Sequence, residues 1–423
     1  MEDKTTHDEE IASFEPTQVD ETTFDRGIAA WSHVAGCFCL YCNSWGILNT
    51  FAVFETYYSN AGAALVDNAA PSAIAWIGST QSLLITLVSA IAGPVYDLGH
   101  LRLLLVAGTL LVGLGQLGPS FCHAYWQVFL TQGIAIGCGG GLLFLPAVAL
   151  LPQYFKSKLG LAFGIATAGS SAGATIYPIV LRQLLDKVGF VWAVRAMAFI
   201  VLGTLLVPNM VLRDRTKPRQ IRAVLNLESL KDRAYVLFII LGFVPFAGFF
   251  SVYIWLSLFS LRFTDDQMAF YVVTIFNAAS CFGRILPNMV ADYVGPFNVI
   301  TIGSLAAGIL VLNMSAIKSL AGLIVMTVLL GITGGVYIGT TPLCFNALTD
   351  DKRLLGTRMG MGYAVLGFGV LVGGPGAGAM LGAAEPLHWS GVWILSGVMC
   401  LFGAFGYAVV RASKYGMPVV QKV

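Results

Sequence analysis

Residues 213–233 read RDRTKPRQIRAVLNLESLKDR, and this polar stretch is the one long interruption in an apolar chain. Six apolar runs precede it and six follow it. Each run is close to the roughly 20 residues that a helix needs to cross the hydrocarbon core of a bilayer. The pattern predicts an all-α integral membrane protein with twelve transmembrane helices in two six-helix halves. The runs lie near residues 30–54, 72–95, 102–120, 125–150, 159–184, 189–212, 235–260, 268–290, 297–316, 320–345, 358–382 and 389–411.

The composition excludes a water-soluble protein. Of 423 residues, 57% are hydrophobic and 11% are charged, whereas about 25% are charged in an ordinary soluble domain. The mean hydropathy is +0.78, and one soluble core could not hide that much apolar surface. The lipid bilayer is therefore the expected partner. A net charge of +2 without a clustered basic face argues against nucleic acid.

The interruption divides the chain into segments. We expect a disordered acidic cytoplasmic tail at 1–25, an N-terminal half at 26–212, a cytoplasmic loop at 213–234, a C-terminal half at 235–412 and a cytoplasmic tail at 413–423.

Lys and Arg set the orientation because cytoplasmic loops retain them. Loops on one side hold Arg102, Lys156, Lys158, seven basic residues within 213–233, Lys352, Arg353 and Arg358, whereas the other side holds Arg182, Lys187, Arg262 and Lys318. Both termini are therefore expected in the cytoplasm. The plasma membrane is the expected location, with the vacuolar membrane as the alternative.

The sequence offers no catalytic, metal or cofactor site. Cys37, Cys39 and Cys42 lie in a membrane-length run without a nearby carboxylate, and the other five cysteines also fall in or beside apolar runs. No nucleophile, metal site or acid/base pair is evident, so we do not expect an enzyme.

A weak repeat relates the two halves. Asp97 follows the second run in the stretch GPVYDLG (93–99), and Asp292 follows the eighth run in NMVADYVG (288–295). Two related halves around a central loop are the pattern of the major facilitator fold, in which substrate binds near the midplane while the halves rock.

Four motifs make the resemblance more specific. They are DRG at 25–27 followed by Trp31, YFKSKLGLAFGIATAGSSAG at 154–173, FGR at 282–284, and GTRMG at 356–360. The chain resembles the monocarboxylate porter family, in the fungal branch that includes riboflavin-type carriers and carriers associated with secondary metabolism. The resemblance implies alternating access to a small organic substrate.

Residues of these motifs, with the two aspartates of the repeat, are expected to have gating or structural roles. Glycines spaced along one helix leave shallow faces where another helix can approach, and lysine at the helix end reaches the headgroups. These residues are Asp25, Trp31, Asp97, Lys156, Gly164, Gly169, Gly173, Asp292 and Arg358.

Arg284 is the best intramembrane charge, about six residues from the cytoplasmic end of its predicted run. Its guanidinium could bind a carboxylate through two parallel hydrogen bonds. The alternative is that it snorkels or acts as a gate. Other polar side chains in the runs, Tyr41 and Tyr253 among them, would supply hydrogen bonds. The predicted substrate-binding set is Arg284, Asn49, Asn277, Ser280, Tyr337 and Asn346.

The proton-coupling charges of the resembled family are replaced here. Characterised members have an Asp four residues before the corresponding Arg and a Lys in the first span, where this chain has Ser280 and Asn49. We therefore predict a secondary-active or facilitative transporter of a monocarboxylate-like or secondary-metabolite-type molecule, with uniport favoured over proton symport. The alternative is a non-transporting receptor or scaffold with the same fold.

Overall fold

The fold is helical throughout the part of the chain that the structure, a computed structural model, describes. Described are residues 25, 27–60, 63–66, 69–215, 227–382 and 387–416. The predictions for the N-terminal tail before residue 25, for most of the central loop and for the end of the C-terminal tail lie outside these residues. No strand occurs within them.

Eleven helices in the described chain are long and apolar enough to cross a membrane. We number them α1 to α11 and call α1–α5 the N-terminal half and α6–α11 the C-terminal half. They are α1 Gly27–Ser59, α2 Ser72–Asp97, α3 Leu101–Phe121, α4 Tyr125–Gln153, α5 Leu159–Val211, α6 Arg233–Ser260, α7 Asp266–Val294, α8 Pro296–Ala316, α9 Leu320–Leu348, α10 Leu355–Leu381 and α11 Trp389–Tyr415.

Helix α5 accounts for the difference between eleven helices and twelve predicted runs. It has 53 residues and contains both the fifth and the sixth run. A straight helix of that length would extend about 80 Å at 1.5 Å per residue, whereas the hydrocarbon core is about 30 Å thick. Gly189 interrupts it with φ 73° and ψ 171°, a backbone conformation that essentially only glycine adopts.

Two helices contain wider turns, α1 near its middle and α4 near its start. In α1, residues Cys42–Gly46 form a π-helical turn, and in α4 the turn spans Phe129–Ala135. Such turns keep the backbone hydrogen-bonded, which lipid requires, while changing the direction in which side chains point. The turn in α1 lies between Tyr41 and Ile47, beside the site described below.

Glycine faces bring the two halves together. Helix α7 packs on α5, and α10 packs on α2. A methyl group on Gly164 would lie 2.7 Å from the carbonyl oxygen of Arg284, and one on Gly93 would lie 2.7 Å from that of Gly356. Gly169 and Gly173 instead face α1 within the N-terminal half. Of the glycines predicted to allow close helix contacts, Gly164 lies between the halves, whereas the contact at Gly93 was not predicted.

Candidate functional site

Two aspartates join the halves at one end of the bundle. Asp97, the last residue of α2, accepts hydrogen bonds from the backbone N–H (2.9 Å) and the hydroxyl (2.7 Å) of Thr357 at the start of α10. Asp292, near the end of α7, accepts from the N–H groups of Gly160 (2.5 Å) and Leu161 (3.0 Å) at the start of α5. Each carboxylate thus binds free N–H groups at the positive end of a helix in the other half. We call this end of the bundle the aspartate end.

Asp25 connects the first motif to the fifth-run motif at the same end. Its two oxygens accept from the backbone N–H groups of Lys156 (3.0 Å), Ser157 (2.9 Å) and Lys158 (3.1 Å), and from the Ser157 hydroxyl (2.8 Å). Partial burial alone would raise the pKa of Asp25, but these hydrogen bonds lower it below its ordinary value. Nearby, the rings of Trp31 and Phe155 meet edge to face at 5.2 Å. The motifs are therefore one structural unit that holds the start of α5.

Arg358 has a related place in the C-terminal half. Its guanidinium lies 2.5 Å from a carboxylate oxygen of Asp232 and 4.4 Å from the centre of the Tyr235 ring. Asp232 also caps α6 through the N–H groups of Ala234 and Tyr235. Burial raises the pKa of Asp232, but Arg358 and these N–H groups bring it below its ordinary value. In each half, the aspartate that precedes the first helix thus binds residues at the start of that half's fifth predicted span.

Arg284 lies deeper than the sequence predicted. Helix α7 continues to Val294, so Arg284 is ten residues, or roughly 15 Å, from the end of the helix. Its side chain is buried, and Nη1 donates to the Thr167 carbonyl (2.9 Å) and the Ser170 hydroxyl (2.6 Å) of α5. Nε donates to Ser280 at 3.4 Å. The guanidinium therefore joins the two halves, and all three of these acceptors are uncharged.

A second polar connection between the halves runs through Tyr253. Its hydroxyl donates to the side-chain oxygen of Asn49 on α1 and accepts from Asn277 on α7 at 3.3 Å. Asn49 also donates to the carbonyl of Trp45 at 2.9 Å. The structure thus brings together Asn49 and Asn277 of the predicted set, and Tyr253 of α6 is the residue that connects them.

Tyr337 and Asn346 lie apart from this group. The Tyr337 hydroxyl donates to the Gly242 carbonyl (3.4 Å) and accepts from Tyr407 (2.8 Å), both within the C-terminal half. Asn346 lies two residues before the end of α9, at the aspartate end, where its carbonyl accepts from Lys352 at 2.6 Å. Their roles in substrate binding stay predictions, and neither contacts Arg284 in the hydrogen bonds described.

Aromatic rings from both halves surround this region. Phe144 of α4 lies 5.8 Å from the rings of Tyr41 and Trp45 on α1, and 5.0 Å from Tyr363 on α10. Phe144 therefore connects rings of α1 in the N-terminal half to a ring of α10 in the C-terminal half. Sequence reasoning had no means to select Phe144 or Tyr363, because 12% of the chain is aromatic.

One cysteine takes part in the contacts between the halves, since the Cys281 thiol of α7 donates to the Ala168 carbonyl of α5 at 3.7 Å. The eight cysteines are unpaired thiols. Within the described residues no group of three or more His, Cys, Asp or Glu side chains is placed to hold a metal ion.

A helical bundle in two halves, with buried polar and aromatic residues where the halves meet, has the architecture of a membrane transporter. The sequence profile of the Major Facilitator Superfamily matches residues 34–350, and the chain belongs to this superfamily.

Related sequences are fungal transporters. The chain is 47% identical over 381 residues to the MFS-type transporter dbaD of Emericella nidulans, covering 90% of this chain and 85% of that protein. It is 34% identical over 397 residues to the aspyridones efflux protein apdF of the same organism, covering 93% and 80%. The predicted function, a membrane transporter of small organic molecules, is confirmed, and so is the predicted superfamily.

Solved structures share the fold at low sequence identity. The transporter FucP in the outward conformation matches with a TM-score of 0.67 and 16% identity, covering 90% of this chain and 98% of that one. The human organic anion transporter MFSD10 (TETRAN) matches with a TM-score of 0.68 and 12% identity, with the same coverage.

Proposed function

We propose that this protein exports an organic molecule of secondary-metabolite type by alternating access of its two halves. The relatives support the substrate class, since one of them is named as an efflux protein for aspyridones. The motifs at 25–27 and 154–173 support a place in the monocarboxylate porter branch.

The topology that we propose has twelve spans, with α5 crossing the membrane twice and turning at Gly189. The aspartate end then faces the cytoplasm together with both termini, as the distribution of Lys and Arg favours. The plasma membrane is the location that suits export.

The observation that carries the proposal is the polar seam between the halves. Arg284 binds α5, and Tyr253 links α1 to α6 and α7. These contacts must break when the halves separate, and an anionic or hydrogen-bonding substrate can replace them. With the aspartate end held shut by Asp97 and Asp292, the arrangement suits an outward-facing or occluded state.

Ser280 and Asn49 occupy the positions of the coupling charges in the resembled family, and both make hydrogen bonds within the seam. We therefore propose uniport rather than proton symport.

Counterflow in proteoliposomes tests the proposal. Purified protein is reconstituted, and vesicles are preloaded with unlabelled lactate, benzoate, salicylate or riboflavin before the labelled compound is added outside. A carrier exchanges at least one of these probes, so label accumulates transiently, and Arg284→Ala abolishes the accumulation. A receptor or scaffold binds a probe saturably without any counterflow, and that result would overturn the proposal.

A further inference from the structure

Tyr41 carries a buried hydroxyl group that forms no hydrogen bond within the described residues. Its side chain is 3% exposed. Buried polar atoms are nearly always paired, so an unpaired one calls for an explanation. In a transporter, one explanation is a ligand that binds there.

The position of this hydroxyl indicates what the ligand contains. Tyr41 adjoins Cys42, whose carbonyl oxygen packs against Gly173 of α5, one helical turn from the Ser170 that Arg284 binds. The described hydrogen bonds of Arg284 use Nη1 and Nε and go to uncharged acceptors. A tyrosine hydroxyl donates one hydrogen bond, and a guanidinium carries five N–H donors. The Arg284 guanidinium can therefore bind an anionic oxygen of the ligand. The Tyr41 hydroxyl can donate to a second acceptor oxygen beside that anionic oxygen.

The surroundings indicate the body of the ligand. Phe144 contacts both Tyr41 and Trp45 from one half and Tyr363 from the other. Phe144 meets all three rings edge to face. A conjugated ligand could form further ring pairs with them, and such pairs gain energy beyond the burial of area. A short aliphatic acid such as lactate has no ring and could not form them.

We propose that the transported molecule is a conjugated anion with an acceptor oxygen adjacent to its acidic group, as in an ortho-hydroxy aromatic acid. The Tyr41 hydroxyl donates a hydrogen bond to this second oxygen. The proposal rests on the transport function proposed above and narrows its substrate class. Tyr41 is on this view a specificity residue, and Arg284 supplies the charge.

Two isomeric probes test the proposal. Salicylate carries its hydroxyl next to the carboxylate, whereas 4-hydroxybenzoate carries it on the far side of the ring. Binding of each to purified detergent-solubilised protein is measured by isothermal titration calorimetry. We expect salicylate to bind roughly 2- to 10-fold more tightly, the range for one hydrogen bond between uncharged groups.

Substitutions test whether Tyr41 causes the preference for salicylate. Tyr41→Phe keeps the ring and should bring the two affinities together, while Arg284→Gln should weaken both probes alike. Tyr58→Phe is the matched control, because Tyr58 is a buried tyrosine of α1 whose hydroxyl donates to Gln132 at 2.9 Å. It should leave the ratio of affinities unchanged.

The outcomes separate this proposal from the transport function. Equal affinities in the wild-type protein, no measurable binding of salicylate, or an unchanged ratio in Tyr41→Phe would each overturn the role of Tyr41. Counterflow of any other probe would then still support the transporter.

Discussion

At the scale of single residues, burying the Arg284 charge in the membrane costs free energy, and specific hydrogen bonds offset part of that cost. Placing a charged side chain in the membrane centre costs about 2.5–3.5 kcal/mol on insertion scales. Hydrogen bonds to Thr167, Ser170 and Ser280 offset part of this cost. A buried charge that is held only by uncharged groups can gain further from an anion, which is the property that substrate binding requires.

Arg284→Lys should fail nearly as badly as Arg284→Ala in transport. Lysine has one nitrogen and cannot reproduce a planar fork that donates to Ser280 on its own helix and to two acceptors on α5. Counterflow at matched protein content per vesicle measures the effect. Near-normal transport by the lysine variant would remove Arg284 from the binding site.

Asp25→Asn should destabilise the fold at neutral pH by about 1–3 kcal/mol, because both carboxylate oxygens accept and an amide nitrogen would face the Ser157 donors. Since the pKa of Asp25 lies below its ordinary value of 3.8, its stabilisation is present above that pH and is lost as the pH falls through the lowered pKa. The melting temperatures of the wild type and Asp25→Asn should differ at pH 7. The difference should shrink as the pH falls below about 3.8 and disappear below the lowered pKa. Exposed Asp186→Asn serves as the control, and a constant difference across pH would contradict the expectation.

At the scale of helices, glycines determine how closely α5 approaches its neighbours. Gly164 lies against the backbone of α7, at the Arg284 carbonyl and the Ile285 Cα, whereas Gly203 of the same helix has no atom within 4 Å of where a methyl group would be placed. One helix therefore offers a tightly packed and an open glycine.

Gly164→Ala should reduce both transport and melting temperature, because the methyl group would lie 2.7 Å from a backbone oxygen that cannot turn away. Overpacking of this kind costs about 1–3 kcal/mol. Gly203→Ala should be neutral or slightly stabilising, because alanine is the better helix former. Equal effects of the two substitutions would show that the contact between α5 and α7 does not limit stability.

Hydrophobic pattern predicts the helices but not where every helix ends. All twelve apolar runs lie in helices, but the fifth and sixth are joined directly at Gly189, whose non-helical backbone kinks α5 without an intervening loop. The predicted eighth run ended at residue 290, whereas α7 extends to Val294. Asp292 falls beyond the predicted run, but it lies within α7 and its carboxylate accepts hydrogen bonds from the start of α5.

Site residues were predictable only where polarity marks them. Asn49, Asn277 and Ser280 stand out in apolar runs, and each takes part in the polar contacts of the seam. Polarity alone did not separate them from Tyr337, whose hydroxyl bonds inside one half. Which of several buried polar groups faces the other half depends on the rotation of each helix, and a single sequence does not fix that rotation.

At the scale of the whole molecule, Asp97 and Asp292 make equivalent contacts in opposite directions. One runs from α2 to α10 and the other from α7 to α5. The sequence repeat that pairs these two aspartates therefore corresponds to a structural repeat. Both contacts must break for the aspartate end to open.

Asp97→Asn and Asp292→Asn should each favour opening of the aspartate end. Thr167 is fully buried, so a Thr167→Cys reporter in a variant lacking native cysteines should react slowly with maleimide. We expect each asparagine substitution to speed labelling roughly 10-fold or more, the effect of losing about one charge-assisted hydrogen bond. The effects should multiply in the double variant, because the contacts share no residue.

Asp186→Asn, at an exposed position, should leave the labelling rate unchanged. Labelling rates that do not respond to either asparagine would show that other contacts keep this end closed.

The separate contacts of Asp97 and Asp292 also limit the leakage of solutes through the transporter. A transporter open at both ends at once would let protons and metabolites run down their gradients and dissipate the energy of the cell. With Asp97 and Asp292 on different helix pairs, accidental opening requires both contacts to fail together. If each fails independently on the order of 1% of the time, as a minor conformer does, both fail together on the order of 0.01% of the time. Because the aspartate contact occurs once in each half, two contacts that can each break alone together keep this end of the transporter closed.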